Sequence, residues 1–234
     1  MSRATQHVVL LLVGLSTAVM LVKGTHVNYV RPSLAPWLMV AAAVLILLGV
    51  TGVVAELRHV TDDAHGHAHR AGLTWLLLIP IALLAFVVPP PLDARGTTPA
   101  AVAVSAPPPR PFPPLPAGPA PEVPLPEAVM RAAADSAHSL DDRTITLTGF
   151  TVHQPGGIDL GRVVIVCCAA DAQLARIHLT GPGLDAAKGF PDDTWLRVRG
   201  RIEPGSSHAD DGFVPTMLVD DVTRIDKPKN AYAY

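Results

Sequence analysis

Fifteen of the chain's 24 prolines fall between residues 89 and 126. Neither a helix interior nor a central strand tolerates that density, because proline lacks the backbone N–H and fixes φ. The stretch therefore divides the chain into two parts that must fold separately. The part before it is dominated by apolar runs, and the part after it mixes polar and apolar residues. A hydrophobic share of 49% is too high for one soluble globule with this much proline, so the excess must be concentrated. These observations predict a transmembrane region over residues 1–92, a proline-rich linker over 93–125 and a folded domain over 126–234.

Three helices are expected in the first part, at about 7–27, 36–57 and 72–89. Val8 to Val22 carries no charge over 15 residues, and His7 and Lys23 can reach the interfaces by snorkelling. The cleaved signal peptide that such a run could instead represent would need an Ala-x-Ala site, and Ala18-Val19-Met20-Leu21-Val22-Lys23 has none. Pro36 to Leu57 is the strongest segment, about 33 Å long as a helix, with Glu56 its only charge and Trp37 at an interface. Leu73 to Val88 contains Pro80, which predicts a kink, and must stop at Pro89-Pro90-Pro91. Three spans put the termini on opposite sides of a bilayer. Arg3, Arg58 and Arg70 then balance Lys23, Arg31 and Arg95, and the tight loop flanked by Arg58 and Arg70 favours a cytoplasmic N-terminus. The expected location is the cell membrane, multi-pass, with the C-terminal domain outside the cytoplasm.

The segment from Pro107 to Pro126 reads as a polyproline spacer able to hold the domain roughly 60 Å from the helices. A short helix is expected at 126–134, with Val129, Ala132 and Ala133 on its apolar face. Strands are expected at 144–152, 162–168, 175–180, 194–202 and 217–225, separated by glycine, proline and aspartate turns. The fold class is thus a membrane α-helical N-terminus plus an all-β C-terminal domain. An OB-like five-stranded barrel is the simplest architecture for the latter, with a β-sandwich as the alternative. Nucleic acid is not an expected partner: residues 125–234 hold 15 Asp and Glu against 11 Lys and Arg, without aromatics interleaved among the basic residues.

Two groups of residues could carry chemistry. His65, His67 and His69 alternate in the second loop, which places three imidazoles on one edge of an extended segment, where they would suit Zn²⁺, Cu²⁺ or Ni²⁺, although a structural zinc site would want four ligands; a polar loop is the plainer reading. Cys167 and Cys168, the only cysteines, follow four apolar residues and precede Asp171. Buried packing is the simple reading for them. Successive side chains of a strand point to opposite faces, so two thiolates on one metal would require the strand to end or bend there, which Ala169-Ala170-Asp171 could supply. His153 and His178, on neighbouring strands, are further candidates to approach that site. There is no Cys-x-x-Cys, nucleophile elbow or phosphate loop, so an enzyme is not expected; a thiol oxidoreductase is the weakest reading.

The layout of apolar helices, a histidine-rich loop, Pro90-Pro91-Leu92-Asp93-Ala94-Arg95-Gly96, Cys167-Cys168-Ala169-Ala170-Asp171-Ala172 and Asp193-Thr194-Trp195-Leu196-Arg197-Val198-Arg199-Gly200 resembles a bacterial family of uncharacterised membrane proteins described as permease subunits. The resemblance implies a membrane-spanning permease as partner, alongside the lipid bilayer, and a role in metal homeostasis. The expected function is an accessory subunit of a membrane permease. The alternative is a metal-binding or metal-delivery membrane protein, with zinc as its ion.

Overall fold

The computed structural model describes residues 3–60 and 107–233. The chain forms two compact units, Met1–Pro91 and Leu92–Tyr234. In the first, helix α1 (Arg3–Val22) and helix α2 (Ala35–Val60) are joined through short 3-10 turns at Thr25–Asn28 and Pro32–Leu34. Glycines set how closely the pair packs: a Cβ at Gly14 would meet Ile46 at 2.8 Å, one at Gly49 would meet the Leu11 backbone at 2.8 Å, and one at Gly52 would overlap the His7 ring. Small residues serve helix pairs in membranes this way, since lipid gives no hydrophobic drive and close van der Waals packing must supply the attraction. Thr5–Val22 and Pro32–Glu56 are long and apolar enough to cross a membrane. The expected third helix and the loop bearing His65, His67 and His69 lie outside the described residues.

The second unit holds helix α3 (Leu125–Ala134) and strands β1 (Thr144–Gln154), β2 (Gly157–Val164), β3 (Gln173–Thr180), β4 (Trp195–Ile202) and β5 (Thr216–Arg224). The five strands close on themselves in the order β1-β2-β3-β5-β4. All ladders are antiparallel except β3 with β5. Alternation explains the interior. Ile145 and Leu147 of β1, Ile177 and Leu179 of β3, Leu196 and Val198 of β4, and Met217 and Val219 of β5 share one buried core. Helix α3 adds Leu125 and Ala128 to that core.

The expected apolar face of this helix holds in part, since Val129 and Ala132 pack against the core. Val129, Ala132 and Ala133 are only partly covered, whereas the buried stripe is Leu125, Ala128, Arg131 and Ala134. An arginine is admitted because its guanidinium is fully engaged: Nη2 bonds Glu127 at 2.6 Å and the Pro113 carbonyl at 2.8 Å, Nη1 bonds the Ser139 hydroxyl at 2.9 Å, and Asp135 lies 3.8 Å away.

The spacer reading is also corrected for residues 107–124, which are packed on the domain. Strand β1 pairs with β2 only from Phe150 onward, leaving backbone groups near Thr146 to be satisfied elsewhere. The proline-rich strap fills that edge. Val123 N–H donates to the Thr146 carbonyl at 3.0 Å, Thr146 N–H to the Pro121 carbonyl at 2.9 Å, and the Thr146 hydroxyl to the Ala120 carbonyl at 3.0 Å. Upstream, the Phe112 ring lies 4.8 Å from the Arg110 guanidinium and 5.0 Å from that of Arg131. Phe112→Ala is therefore expected to loosen the strap by about 1 kcal/mol, measured as faster limited proteolysis between residues 107 and 121; an unchanged rate would show that the ring does not hold it.

A second cluster covers the outer side of β1 and β2. Phe150, Val152, Val163, Ile165, Trp195 and Tyr232 are buried together, with Phe150 and Trp195 edge to face at 5.6 Å. Tyr232 arrives there because the C-terminal tail runs parallel to the end of β2: Ala233 N–H donates to the Val163 carbonyl at 2.9 Å and Ile165 N–H to the Ala233 carbonyl at 3.0 Å.

Candidate functional site

Strand β2 stops at Val164, which corrects the expected strand over 162–168. From Ile165 the chain leaves its ladder with β3 and is held instead by the C-terminal tail, so the two cysteines stand on a loop beyond the sheet. Val166 and Cys167 are exposed and Cys168 is half-buried. Residues Ala169–Asp171 form a 3-10 turn, and that turn swings Asp171 back under the cysteines.

The Asp171 carboxylate organises the loop. Its Oδ1 accepts the N–H of Val166 at 2.8 Å, and its Oδ2 accepts those of Cys167 at 2.8 Å and Cys168 at 3.2 Å. The Asp171 N–H closes the turn by donating to the Cys168 carbonyl at 3.0 Å. The Cys167 thiol also hydrogen-bonds to the same carboxylate. That bond, first among the causes, pushes the thiol up to about 11, with Cys168 adding to it. The same bond, followed by the three backbone N–H donors, brings Asp171 down to about 2.

One ligand atom each from Cys167, Cys168 and Asp171 lie within 4.8 Å of one another. Two sulfurs and a carboxylate oxygen at that spacing, partly open to solvent, are a donor set for a thiophilic metal ion. Because the Asp171 carboxylate holds the Cys167 thiol in its protonated form, a metal would enter by displacing that proton.

His153 and His178 are placed elsewhere. His178 pairs across the ladder with Asp159, while Val164, at the base of the cysteine loop, pairs with Gln173. Five residues of strand separate those positions, about 17 Å. Each histidine has its own carboxylate: His178 Nδ1 lies 3.0 Å from Asp159, which also accepts from Arg176 at 3.1 Å, and His153 Nδ1 lies 2.7 Å from Asp192. The His65, His67 and His69 candidates fall outside the described residues. Sequence reasoning missed the participation of Val166 and of Ala233, which act through backbone atoms and leave no trace in residue type.

Residues 127–234 match the family model described as the DUF1980 C-terminal domain. The matched region spans β1 to β5, the cysteine loop and the C-terminal tail. It is similar, then, to a domain family of unknown function. Neither the curated proteins nor the solved structures contain a match to this chain.

Proposed function

We propose that this chain is a membrane-anchored protein that binds a thiophilic metal ion on its C-terminal domain and hands it on. The observation that carries the reading is the convergence of Cys167, Cys168 and Asp171 within 4.8 Å on an exposed loop. Structural metal sites are closed by four protein ligands, whereas sites that exchange their contents keep a position open; a surface site with fewer than four donors suits exchange. The protonated state of Cys167 weighs against a thiol oxidoreductase, because the thiolate is the nucleophile. The test is titration of the purified full chain with Zn²⁺ and, separately, Cu⁺ under reducing conditions. One equivalent of either ion bound by the wild type and lost in Cys167→Ser with Cys168→Ser supports the reading. No binding, or binding that the double variant retains, sinks it.

An accessory role beside a membrane-spanning permease is the second reading, favoured by the apolar exterior of α2. Trp37, Met39, Val40, Val44, Leu47 and Leu48 are all exposed there, a surface suited to lipid and to partner helices. Mild-detergent pull-downs that recover no polytopic membrane protein would count against it. The metal-handling domain would then stand outside the cytoplasm, tethered to a multi-pass anchor. Its closed strand order, with β3 alongside β5 in parallel, supports an OB-like barrel as its architecture.

A further inference from the structure

We infer that the cysteine loop is a two-sulfur site for a soft monovalent cation of the copper(I) class, with Asp171 a positioning residue and not a ligand. The inference rests on the metal-binding reading above and deepens it.

A carboxylate offers about four lone pairs. Three of those on Asp171 accept the N–H groups of Val166, Cys167 and Cys168. These bonds hold the two sulfurs near one another, on a chain where an extended strand would point them to opposite faces. Drawing the carboxylate toward a metal would stretch the three bonds that keep the sulfurs together. Two thiolates leave zinc two ligands short of its tetrahedron, whereas copper(I), which thiolates also favour, is satisfied by two-coordinate sulfur. Among the described residues no other His, Cys, Asp or Glu joins the cluster.

The experiment uses the full chain in detergent, anaerobic and reduced, with His65, His67 and His69 replaced by alanine so that the loop histidines do not contribute. Chromophoric competitors measure Cu⁺ and Zn²⁺ affinity in parallel, and X-ray absorption reads the ligands of bound copper. The expected result is at least 100-fold preference for Cu⁺, a sulfur-only first shell, and loss of at least 100-fold in affinity on replacing either cysteine. Asp171→Asn is expected to keep the sulfur-only spectrum and to lose less than about tenfold. Equal or tighter binding of Zn²⁺, or an oxygen ligand that disappears in Asp171→Asn, would overturn the two-sulfur assignment while leaving the metal-binding reading intact. Binding of neither ion would remove both.

Discussion

Asp171→Asn raises the rate at which Cys167 reacts with an alkylating probe at pH 8 by at least about tenfold, toward the roughly 100-fold that separates a thiol at 11 from one at its ordinary 9. The sign follows from what the carboxylate does. It accepts the Cys167 S–H, which stabilises the protonated form, and its charge opposes a thiolate beside it. An amide removes the charge and is a poorer acceptor, so the thiol titrates lower and more thiolate is present at pH 8. Rates measured from pH 6 to 11 should show a wild-type midpoint near 11 and a variant midpoint shifted down. Coincident curves would show that Asp171 does not govern the thiol. The carboxyl itself predicts a second pH effect. Its folded value, about 2, lies below the ordinary carboxyl value of 3.8. Its support for the loop is therefore fully present above about pH 4 and is lost as pH falls through about 2. Amide exchange at Val166, Cys167 and Cys168 should accelerate over that window before the sheet unfolds.

The sequence made this site half legible. Cysteines at 167 and 168 with an acid three residues on are visible as a constellation, and small residues at 169 and 170 suggest the bend that joins them. The donors that fix the loop are backbone N–H groups, which every non-proline residue carries and which no pattern of side chains announces. The end of β2 was hidden for a related reason. Val163 to Val166 reads as continuous apolar strand, yet from Ile165 its partner is Ala233, a contact 68 positions away in sequence that local periodicity cannot register. Strand β1 was legible because Thr144, Thr146 and Thr148 alternate with Ile145 and Leu147, and that alternation is the local signature of a half-buried strand. Docking of the proline-rich strap was not legible. Its composition reads as a free spacer until unpaired backbone at Thr146 and the guanidinium of Arg131 give it somewhere to bind.

Gly200→Val should lower the stability of the C-terminal domain by about 3 kcal/mol and its melting temperature by roughly 10 °C. The ladder between β4 and β5 slips at this point: Arg199 faces Asp221, while Gly200 faces Val219, leaving Asp220 as the extra residue of a bulge. The bulge brings the β5 backbone against Gly200, where a Cβ would collide with the Leu218 carbonyl oxygen and lie 3.0 Å from its carbon. The obstacle is main chain, so no side-chain rotation relieves it, and the two strands must separate. Gly200 also pairs with Ile145 on β1, so the displacement reaches the ladder on its other side and the buried core behind it. The bulge serves the fold in a second way, because Gly183 in the 3-10 segment Pro182–Ala186 approaches the Asp220 backbone, where its own Cβ would sit at 2.8 Å. Gly156→Ala provides the control: the position lies in the β1–β2 turn with nothing within 4 Å of a Cβ, and its expected cost is below about 0.5 kcal/mol. Chemical denaturation of both variants decides the matter. Equal stabilities would mean that the strands can part at Gly200 without cost and that the bulge does not determine how the sheet closes.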